Sequence, residues 1–337
     1  MKTVKANAQL ISHNIHPYKL IEKIGRICYK SEDKITDDSA SKFVQMLAKN
    51  GHTAMLEHAT IYFECPQHIA DILQPAIADM SAGYNNFNTE YLKYIKISTL
   101  PYGCNYISGS LRTFYDIARS PYGGIKTLQY LLEPLSINFP ELFDAPVKHV
   151  DSPCRILTET EFINNVKFKT SSELSVKKIL SYHLTHSVLF TCDRGVSHEL
   201  VRHRPCSFAQ ESTRYCNYSK DKFGHNITVI EPAFFAELHD NPEDDRLKEF
   251  FIWQQAMENA ETAYFDLLEQ GATPQEARSV LPNSLKTEIV LTATELEWQH
   301  ILNLRYHGTT GKPHPQMYEI MDIAYPQLIE ASEHRLS

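Results

Sequence analysis

The sequence predicts a helix-rich, mixed α+β fold that forms a single domain. Apolar residues recur at helical spacing over residues 241–270, whereas residues 59–65 are rich in the β-branched and aromatic side chains typical of strands. No Gly/Ser-rich linker divides the 337 residues. A chain of this length can form one large domain or two ordinary ones, and the missing linker favours one domain, 1–337, with an insertion at about 66–180.

The predicted helices carry ordinary start and stop signals. Residues 37–50 place Phe43, Val44 and Leu47 on one face, with Asp and Ser at the start and Gly51 after the end. Pro274 stands at the start of another helix, where proline is tolerated. The full set of predicted helices is 37–50, 105–118, 123–133, a short helix from about 194, 241–270, 274–281, 294–305 and 315–333.

The predicted strands are short runs of apolar, β-branched and aromatic residues. They cover residues 59–65, 91–98 and 181–192. Residues 140–172 contain three prolines and are predicted to be irregular or inserted.

Composition and charge disfavour several classes of protein. With 33 Lys and Arg against 41 Asp and Glu, the formal net charge is −8, which disfavours nonspecific binding to nucleic acids or membrane surfaces. The apolar runs are shorter than a membrane span, and the N-terminus lacks a signal-peptide pattern. The seven cysteines include no C-x-x-C pair, so we expect reduced thiols in a cytoplasmic protein, without a disulfide framework or a structural zinc site.

The most informative segment runs from Arg202 to Tyr215. It contains three arginines, a histidine, hydroxyls, an amide and a carboxylate, with few apolar side chains between them. Because arginine is almost never buried without a partner, this segment cannot form core. It is either a solvated face or the lining of a site for an anionic ligand, since guanidinium groups suit phosphates and carboxylates. The residue types alone leave both interpretations open.

Two other kinds of site are disfavoured. His198 and His203 are five residues apart, about 140° around a helix, whereas a zinc-protease helix needs a spacing of four. His183 and His186 fall in a predicted strand, where they would point to opposite faces, so no metal site is predicted. Cys206 could act as a nucleophile if nearby arginines stabilise its thiolate, but a small cysteine beside a proline is more often a packing residue.

Four motifs together resemble the flavin-dependent thymidylate synthase family. The first is Arg202-His203-Arg204-x-x-Ser207 followed by Ser212-x-Arg214-Tyr215. The other three stand in the family's order, and they are Gly51-His52 with Glu57-His58, Ala277-Arg278 with Leu281-Pro282, and Asn303-Leu304-Arg305. The resemblance implies the α+β fold of that family, in a longer form whose insertion is the stretch 66–180.

The resemblance also implies a reaction and its participants. Members of this family convert dUMP to dTMP, with 5,10-methylenetetrahydrofolate as carbon donor, FAD as redox carrier and NADPH as reductant. They use no cysteine nucleophile. They are homotetramers whose active sites are built from several subunits, and the resemblance implies no nucleic-acid, membrane or metal partner.

Individual residues acquire roles from the resemblance. Arg305 corresponds to the catalytic arginine, whose fixed positive charge stabilises the negative charge that develops on the pyrimidine. The residues implied to bind dUMP are Glu199, Leu200, Val201, Arg202, Gln210, Glu211, Ser212, Thr213, Arg214, Arg278 and Arg305. The residues implied to bind FAD are His52, Ala54, Arg202, His203, Arg204, Gln210, Thr294, Leu296 and His300.

Two parts of the chain depart from the family pattern. Thr294-Glu295-Leu296 and His300 stand where shorter members carry residues that hold the flavin, and Gln210-Glu211 replaces a single glutamate. These departures keep open a second hypothesis, a flavoenzyme of the same scaffold that acts on a related pyrimidine nucleotide. A third hypothesis is a nucleic-acid-binding module that uses the arginine-rich segment, which the acidic net charge disfavours.

Overall fold

A computed structural model describes residues 1–11, 14–81, 94–100, 104–143, 147–213, 216–220, 224–240 and 246–336. Arg214 and Tyr215 of the arginine-rich segment lie outside the described residues. So do residues 91–93 of one predicted strand and residues 241–245 of one predicted helix.

Helices and strands alternate along the described chain. The strands are β1 (Lys2–Val4), β2 (Asn7–Ile11), β3 (Thr60–Pro66), β4 (Lys96–Thr99), β5 (Cys104–Ser110), β6 (Arg155–Leu157), β7 (Thr185–Asp193), β8 (Ser207–Gln210), β9 (Thr228–Ile230) and β10 (Lys286–Thr294). The helices are α1 (Pro17–Tyr29), α2 (Ser39–Lys49), α3 (Gln67–Ser81), α4 (Leu111–Arg119), α5 (Lys126–Asn138), α6 (Glu159–Lys169), α7 (Glu173–His183), α8 (Arg194–Leu200), α9 (Leu247–Glu269), α10 (Pro274–Ala277), α11 (Glu295–Arg305) and α12 (Pro315–Ala331). The predicted helix-rich α+β class is confirmed. Within the described ranges, no helix is both long enough and apolar enough to cross a membrane.

Two four-stranded antiparallel sheets form the scaffold. The first has the strand order β2-β7-β10-β8 and the second β4-β5-β3-β6, while β1 and β9 form a separate parallel pair. Helices α8, α11 and α12 pack on the first sheet around a core that includes Phe190, Leu291 and Trp298. A second core, which includes Phe63 and Phe114, joins the second sheet to α1, α2, α4 and α5.

The two central strands of the first sheet determine where two helices meet. Strands β7 and β10 pair over all nine residues, from Asp193 opposite Lys286 to Thr185 opposite Thr294. Helix α8 follows the end of β7, whereas α11 follows the end of β10 at the other end of the pair, and both pack on the same face. Nine strand residues span about 30 Å, and helices of seven and eleven residues together span about 27 Å. The C-terminal ends of α8 and α11 therefore meet.

Strand β2 forms an edge of the first sheet, and one side chain of α12 covers its outer backbone. The Oε1 atom of Gln327 accepts a hydrogen bond from the Leu10 amide at 2.8 Å, and its Nε2 atom donates to the Ala8 carbonyl at 3.0 Å. The side-chain amide thus occupies two backbone groups that a further strand would otherwise pair with.

The predicted helix 105–118 is wrong over its first half. Residues 104–110 form β5, which lies between β3 and β4 and pairs with both. Strand pairing on both sides overrides the local helical pattern at this position. The helix begins only at Leu111, where the Ser110 hydroxyl accepts a hydrogen bond from the Thr113 amide at 3.2 Å.

Two other predictions are wrong in part. The stretch 140–172 is not wholly irregular, since it contains β6 and α6, and Thr158 and Glu161 form a capping box at the start of α6. The predicted strand 181–192 begins too early, because its first three residues complete α7 and β7 starts at Thr185. Of the predicted strand 91–98, the described strand β4 covers residues from Lys96 onward.

The remaining predicted elements are confirmed. Phe43, Val44 and Leu47 are buried on one face of α2, and Gly51 has a φ of 72°, the left-handed conformation that ends many helices. The predicted strand 59–65 corresponds to β3. The other predicted helices correspond to α5, α8, α9, α11, α12 and α10 with the 3-10 turn that follows it.

A buried carboxylate joins α11 to three other parts of the chain. Glu295, the first residue of α11, is 0% exposed. It accepts hydrogen bonds from Arg335 at 2.7 and 2.9 Å, from Ser181 at 3.0 Å and from His186 at 2.9 Å. Burial alone would raise the pKa of Glu295, but the hydrogen bonds from His186 and Arg335 hold that pKa below its usual value. The carboxylate is therefore charged and fully hydrogen-bonded in the folded state.

We expect Arg335→Ala to lower the free energy of unfolding by about 3–5 kcal/mol, because it leaves the Glu295 charge buried without its cation. The control is Lys167→Ala, which removes an exposed ion pair with Glu333 and should cost less than about 1 kcal/mol. Urea unfolding followed by circular dichroism measures both. Equal losses in the two variants would contradict the role assigned to the buried pair.

Two buried histidines make stability depend on pH. Burial lowers the pKa of His58 to about 4, and burial with the charge of Lys96 lowers the pKa of His183 to about 3. The His58 ring lies 2.7 Å from the Thr292 hydroxyl, and the His183 ring lies 2.7 and 2.8 Å from two serine hydroxyls. Both imidazoles are therefore neutral at pH 7.

Each of these histidines should remove about 2 kcal/mol from the free energy of unfolding between pH 7 and pH 5. The folded pKa values lie below the value of about 6.5 in the unfolded chain, so the unfolded state takes up protons first. This stability is present above pH 6.5 and is lost as the pH falls. In urea unfolding at several pH values, His183→Gln should reduce the slope, whereas the exposed control His68→Gln should not. An unchanged slope in His183→Gln would count against this account.

Candidate active site

The arginine-rich segment is held by the junction of β7 and α8. Asp193, the last residue of β7, caps α8 by accepting a hydrogen bond from the Val196 amide at 2.7 Å. The helix ends at Leu200, and the following turn places Arg202 and Arg204 at the surface while His203 points inward and is 7% exposed. The segment then enters β8, which pairs with β10. The alternation of exposed and buried residues shows that this segment is not a uniformly solvated face.

Arg305 lies where the ends of α8 and α11 meet. Its Nη1 atom donates to Glu199 Oε2 at 2.7 Å, and its Nε atom donates to His203 Nε2 at 3.1 Å. His300, five residues earlier on α11, places its ring 6.3 Å from the His203 ring. The structure therefore brings together four residues that the sequence predicted for the site, from motifs about a hundred positions apart.

His203 is neutral in this arrangement. Burial, together with the charges of Arg305 and His300, lowers the pKa of His203 to about 4. A neutral imidazole can accept the hydrogen bond from Arg305 at Nε2, which assigns its proton to Nδ1. His203 thus fixes the direction of the guanidinium group without neutralising its charge.

The second half of the arginine-rich segment contacts the 3-10 turn after α10. Arg278 is exposed at the start of that turn and donates to the Thr213 hydroxyl at 3.4 Å. Gln210 donates through Nε2 to the Ser197 hydroxyl at 2.9 Å and to the Thr287 hydroxyl at 3.3 Å. Two predicted dUMP-binding motifs are therefore adjacent, although Arg214 lies outside the described residues.

Glu211 lies in a buried cluster of charges. It is 3.5 Å from Lys30 and 3.6 Å from Lys286, and both lysines also pair with Glu288. These contacts join α1, β8 and β10. Lys30 was not predicted from the sequence, because α1 was not among the predicted helices. The signal for α1 is the helical spacing of its apolar residues Leu20, Ile21, Ile24 and Ile27.

The other predicted residues differ in accessibility. Leu200 is fully buried, so its side chain faces the core, and Val201 is exposed at the end of α8. Ser212 lies half-buried between Glu211 and Thr213.

Predicted flavin contacts fall into two groups. His52 and Ala54 are exposed on the turn that follows α2, and the His52 ring lies 2.6 Å from the Tyr29 hydroxyl. Leu296 is exposed on α11, whereas Thr294 is buried and its hydroxyl caps α11 by accepting from the Glu297 amide at 3.4 Å. We call Arg305, Glu199, His203 and His300 the Arg305 cluster. In the described part of the chain, no hydrogen bond, ion pair or ring contact joins His52 or Ala54 to this cluster.

Cys206 packs against the core of the first sheet and is half-buried. Burial, with the nearby charge of Glu297, raises the pKa of its thiol to about 12. The thiol is therefore protonated at neutral pH. Among the described residues, no group of three or more His, Cys, Asp or Glu side chains is arranged to hold a metal ion.

Comparison with known proteins identifies the family. The model of the family described as "Thymidylate synthase complementing protein" matches residues 9–115 and 173–331, which together are most of the chain. The chain belongs to this family. The resemblance drawn from the four motifs is thereby confirmed. The unmatched residues 116–172 lie within the predicted insertion.

Curated members of the family are similar over part of their length. A flavin-dependent thymidylate synthase of Thermococcus onnurineus is 29% identical over 170 residues, which are 48% of this chain and 63% of that protein. One from Geobacter sulfurreducens is 32% identical over 112 residues, 33% of this chain and 43% of that protein. The match thus spans less than two thirds of these relatives.

One solved structure that is similar to this chain is that of a UMP/dUMP methylase from Streptomyces cacaoi bound with 5-Br UMP. It is 19% identical, covers 52% of this chain and 86% of that chain, and has a TM-score of 0.41. A TM-score below 0.5 at this identity is too low to assign a substrate or a reaction to this chain from that structure.

We expect Cys206 to react slowly with iodoacetamide, because at pH 8 only about one thiol in 10⁴ is ionised when the pKa is about 12. Its rate should rise about tenfold per pH unit from pH 7 to pH 10. Site-resolved mass spectrometry measures the labelling, and the same cysteine in urea-unfolded protein is the control. A native rate that levels off near pH 8 would contradict the raised pKa.

Proposed function

We propose that this protein is a flavin-dependent thymidylate synthase. It converts dUMP to dTMP with 5,10-methylenetetrahydrofolate as the carbon donor and NADPH as the reductant. The observation that carries the proposal is the Arg305 guanidinium, held by Glu199 and His203 beside the arginine-rich segment. Membership of the thymidylate synthase complementing protein family supports it.

Arg305 is the catalytic residue in this proposal. Its Nε and Nη1 atoms are engaged by His203 and Glu199, and its Nη2 atom has no hydrogen-bond partner in the described part of the chain. Nη2 can therefore donate to a carbonyl oxygen of the uracil ring. Because the guanidinium is already oriented, it stabilises negative charge on the ring without further reorganisation.

Three exposed arginines suit the phosphate of dUMP and other anionic groups. Arg202 and Arg204 flank the Arg305 cluster, and Arg278 lies beside Thr213. Guanidinium groups form charge-assisted hydrogen bonds with phosphate oxygens, each worth about 1.5–3 kcal/mol. They concentrate positive charge locally on a chain whose net charge is −8.

The predicted flavin residues fit FAD in part. Arg202 and Arg204 can hold its pyrophosphate. His300 presents an accessible side chain beside His203, and the exposed Leu296 lies four residues earlier on the same face of α11. Thr294 does not fit as a direct ligand through its hydroxyl, because that group is buried and caps α11. When bound, FAD supplies the redox chemistry, and the protein's own residues bind and orient the nucleotide.

The open position of these arginines supports a shared active site. Arg202, Arg204 and Arg278 lie at the surface of one chain, whereas anionic ligands are held most tightly where cations converge and water is excluded. We therefore propose a homotetramer in which neighbouring subunits complete each site, with His52 and Ala54 contributing to the flavin site of such an assembly.

The test is absorbance spectroscopy of the purified protein supplied with FAD, followed by NADPH with and without dUMP. We expect a bound flavin that NADPH bleaches and a product that mass spectrometry identifies as dTMP. A protein that takes up no flavin would overturn the proposal. A methylated product from another pyrimidine nucleotide, without dTMP, would favour the related flavoenzyme.

Replacement Arg305→Lys should lower kcat by about 10²–10³-fold, since lysine cannot keep both contacts while donating to the pyrimidine. Flavin content and the unfolding midpoint should stay unchanged. The matched control is Arg155→Lys, at an exposed arginine of β6, which should keep wild-type turnover. Turnover by Arg305→Lys equal to that of the control would refute the role of Arg305.

A further inference from the structure

A cavity of about 410 Å³ lies where strands of the two four-stranded sheets face each other. One wall comes from β2, β3, β7 and the start of α1, all within the residues matched by the family model. The rest of the wall comes from Asn138, Phe139, residues 156–159 and Glu161, which belong to the unmatched stretch 116–172. None of the residues predicted for the dUMP and flavin sites lines this cavity. It is therefore a separate feature, formed jointly by the family core and the added segment.

Most of the cavity wall is apolar. Ile11, Leu20, Ile61, Phe139 and Ile156 are among the residues that line it. A volume of this size with apolar walls suits a small organic molecule, which such sites hold by burying its apolar body and orienting it with a few polar groups.

Two polar groups on the wall have no partner. The Tyr62 side chain is 3% exposed, and its hydroxyl lies near Thr185 without a hydrogen bond of normal geometry within the described residues. The Glu159 carboxyl, in the first turn of α6, likewise has no hydrogen-bond or ion-pair partner among them. Both groups line the same cavity, and burial and then the Glu159 charge raise the pKa of Tyr62. A buried polar group without a partner costs free energy that a ligand can recover.

Other polar groups on the wall are already paired. The Thr60 and Thr185 hydroxyls lie 3.0 Å apart, and the Ser187 hydroxyl lies 2.6 Å from that of Thr292. Glu161 is engaged by Thr158 and Arg155. Asn14, Asn138 and His16 each take part in one hydrogen bond. Among the described lining residues, Glu159 and Tyr62 are thus the polar side chains that have no hydrogen bond of normal geometry.

The charge of the cavity selects against anions. None of the described lining residues is Lys or Arg, and two of them are glutamates. His16 adds no positive charge at neutral pH, because burial and Lys19 lower its pKa. Burial and the charge of Glu295 raise the pKa of Glu159 to about 7, and the nearby charge of Arg335 offsets this only in part. Phosphate- and carboxylate-bearing ligands such as dUMP do not fit this environment.

We propose that this cavity binds a small organic monocation, a protonated amine on an apolar body. The ammonium group lies between Glu159 and Tyr62, and the body packs against Phe139 and the aliphatic residues of the wall. An ammonium supplies a direct ion-pair partner for Glu159 and a donor for the Tyr62 oxygen, and the Phe139 ring face favours a nearby cation. The proposal does not depend on the thymidylate synthase activity.

The test compares three molecules of the same shape that differ in charge. Tryptamine is the cation, tryptophol the neutral analogue and indole-3-acetate the anion. Isothermal titration calorimetry at pH 7.5 on the intact protein should show one tryptamine per chain, binding at least about tenfold more tightly than tryptophol. Indole-3-acetate should not bind, and saturating dUMP should not displace tryptamine.

Glu159→Gln keeps the shape of the side chain and removes its charge. It should weaken tryptamine binding by about tenfold or more and leave tryptophol unchanged. Tyr62→Phe is a second variant that should weaken both amine and alcohol. The matched control is Glu269→Gln, at an exposed glutamate at the end of α9, which should bind all three molecules as the wild type does.

The proposal fails if none of the three molecules binds at millimolar concentration. It also fails if indole-3-acetate binds as tightly as tryptamine. Both Glu159→Gln and Tyr62→Phe are first verified as folded by circular dichroism. If both variants bind tryptamine with unchanged affinity, the amine binds elsewhere and the assignment is overturned.

Discussion

The buried carboxylate of Glu295 fixes the start of α11, and the candidate active site depends on that position. A charge with 0% exposure is tolerated only when every lone pair is satisfied, and here Arg335, His186 and Ser181 satisfy them. The same contacts attach α7, β7 and the end of the chain to one point. Arg305 is ten residues further along the same rigid helix, so its location follows from this anchor.

The antiparallel pairing of β7 and β10 explains why two distant motifs meet. Each strand leads into a helix that runs back over the same face of the sheet, and the helix lengths match the strand length. Glu199 and His203 come from the first helix and its turn, and Arg305 from the second. The arginine-rich segment therefore contains a buried hydrogen-bond acceptor, His203, that holds the Arg305 guanidinium in a fixed orientation. Arginines on a solvated surface have no such acceptor. The departure at Thr294 and Glu295 also acquires a physical meaning, since one residue caps α11 and the other anchors it.

The sequence predicted many residues of the candidate site, but not the strand pairing and buried contacts that hold those residues in place. The resemblance to the family, carried by four motifs in order, selected Arg305, His203 and Arg278, whereas residue types alone left open whether the arginine-rich segment was a solvated face or an anion site. Local patterns failed at residues 105–110, where pairing with strands on both sides determines the conformation. The partners of Glu295 lie up to 114 positions away, and no local signal links such residues. The cavity at Tyr62 was equally hidden, because its walls come from five separate stretches of chain.

The Gln327 amide on the outer side of β2 bears on how copies of this chain associate with one another. An unprotected edge strand offers its N–H and C=O groups to any extended segment, and this is a common route to aggregation. Here one side chain of α12 occupies the groups of Leu10 and Ala8 that face outward. Sheet extension through this edge would first require α12 to move away, so two copies of this chain cannot associate by pairing their β2 strands while α12 stays in place.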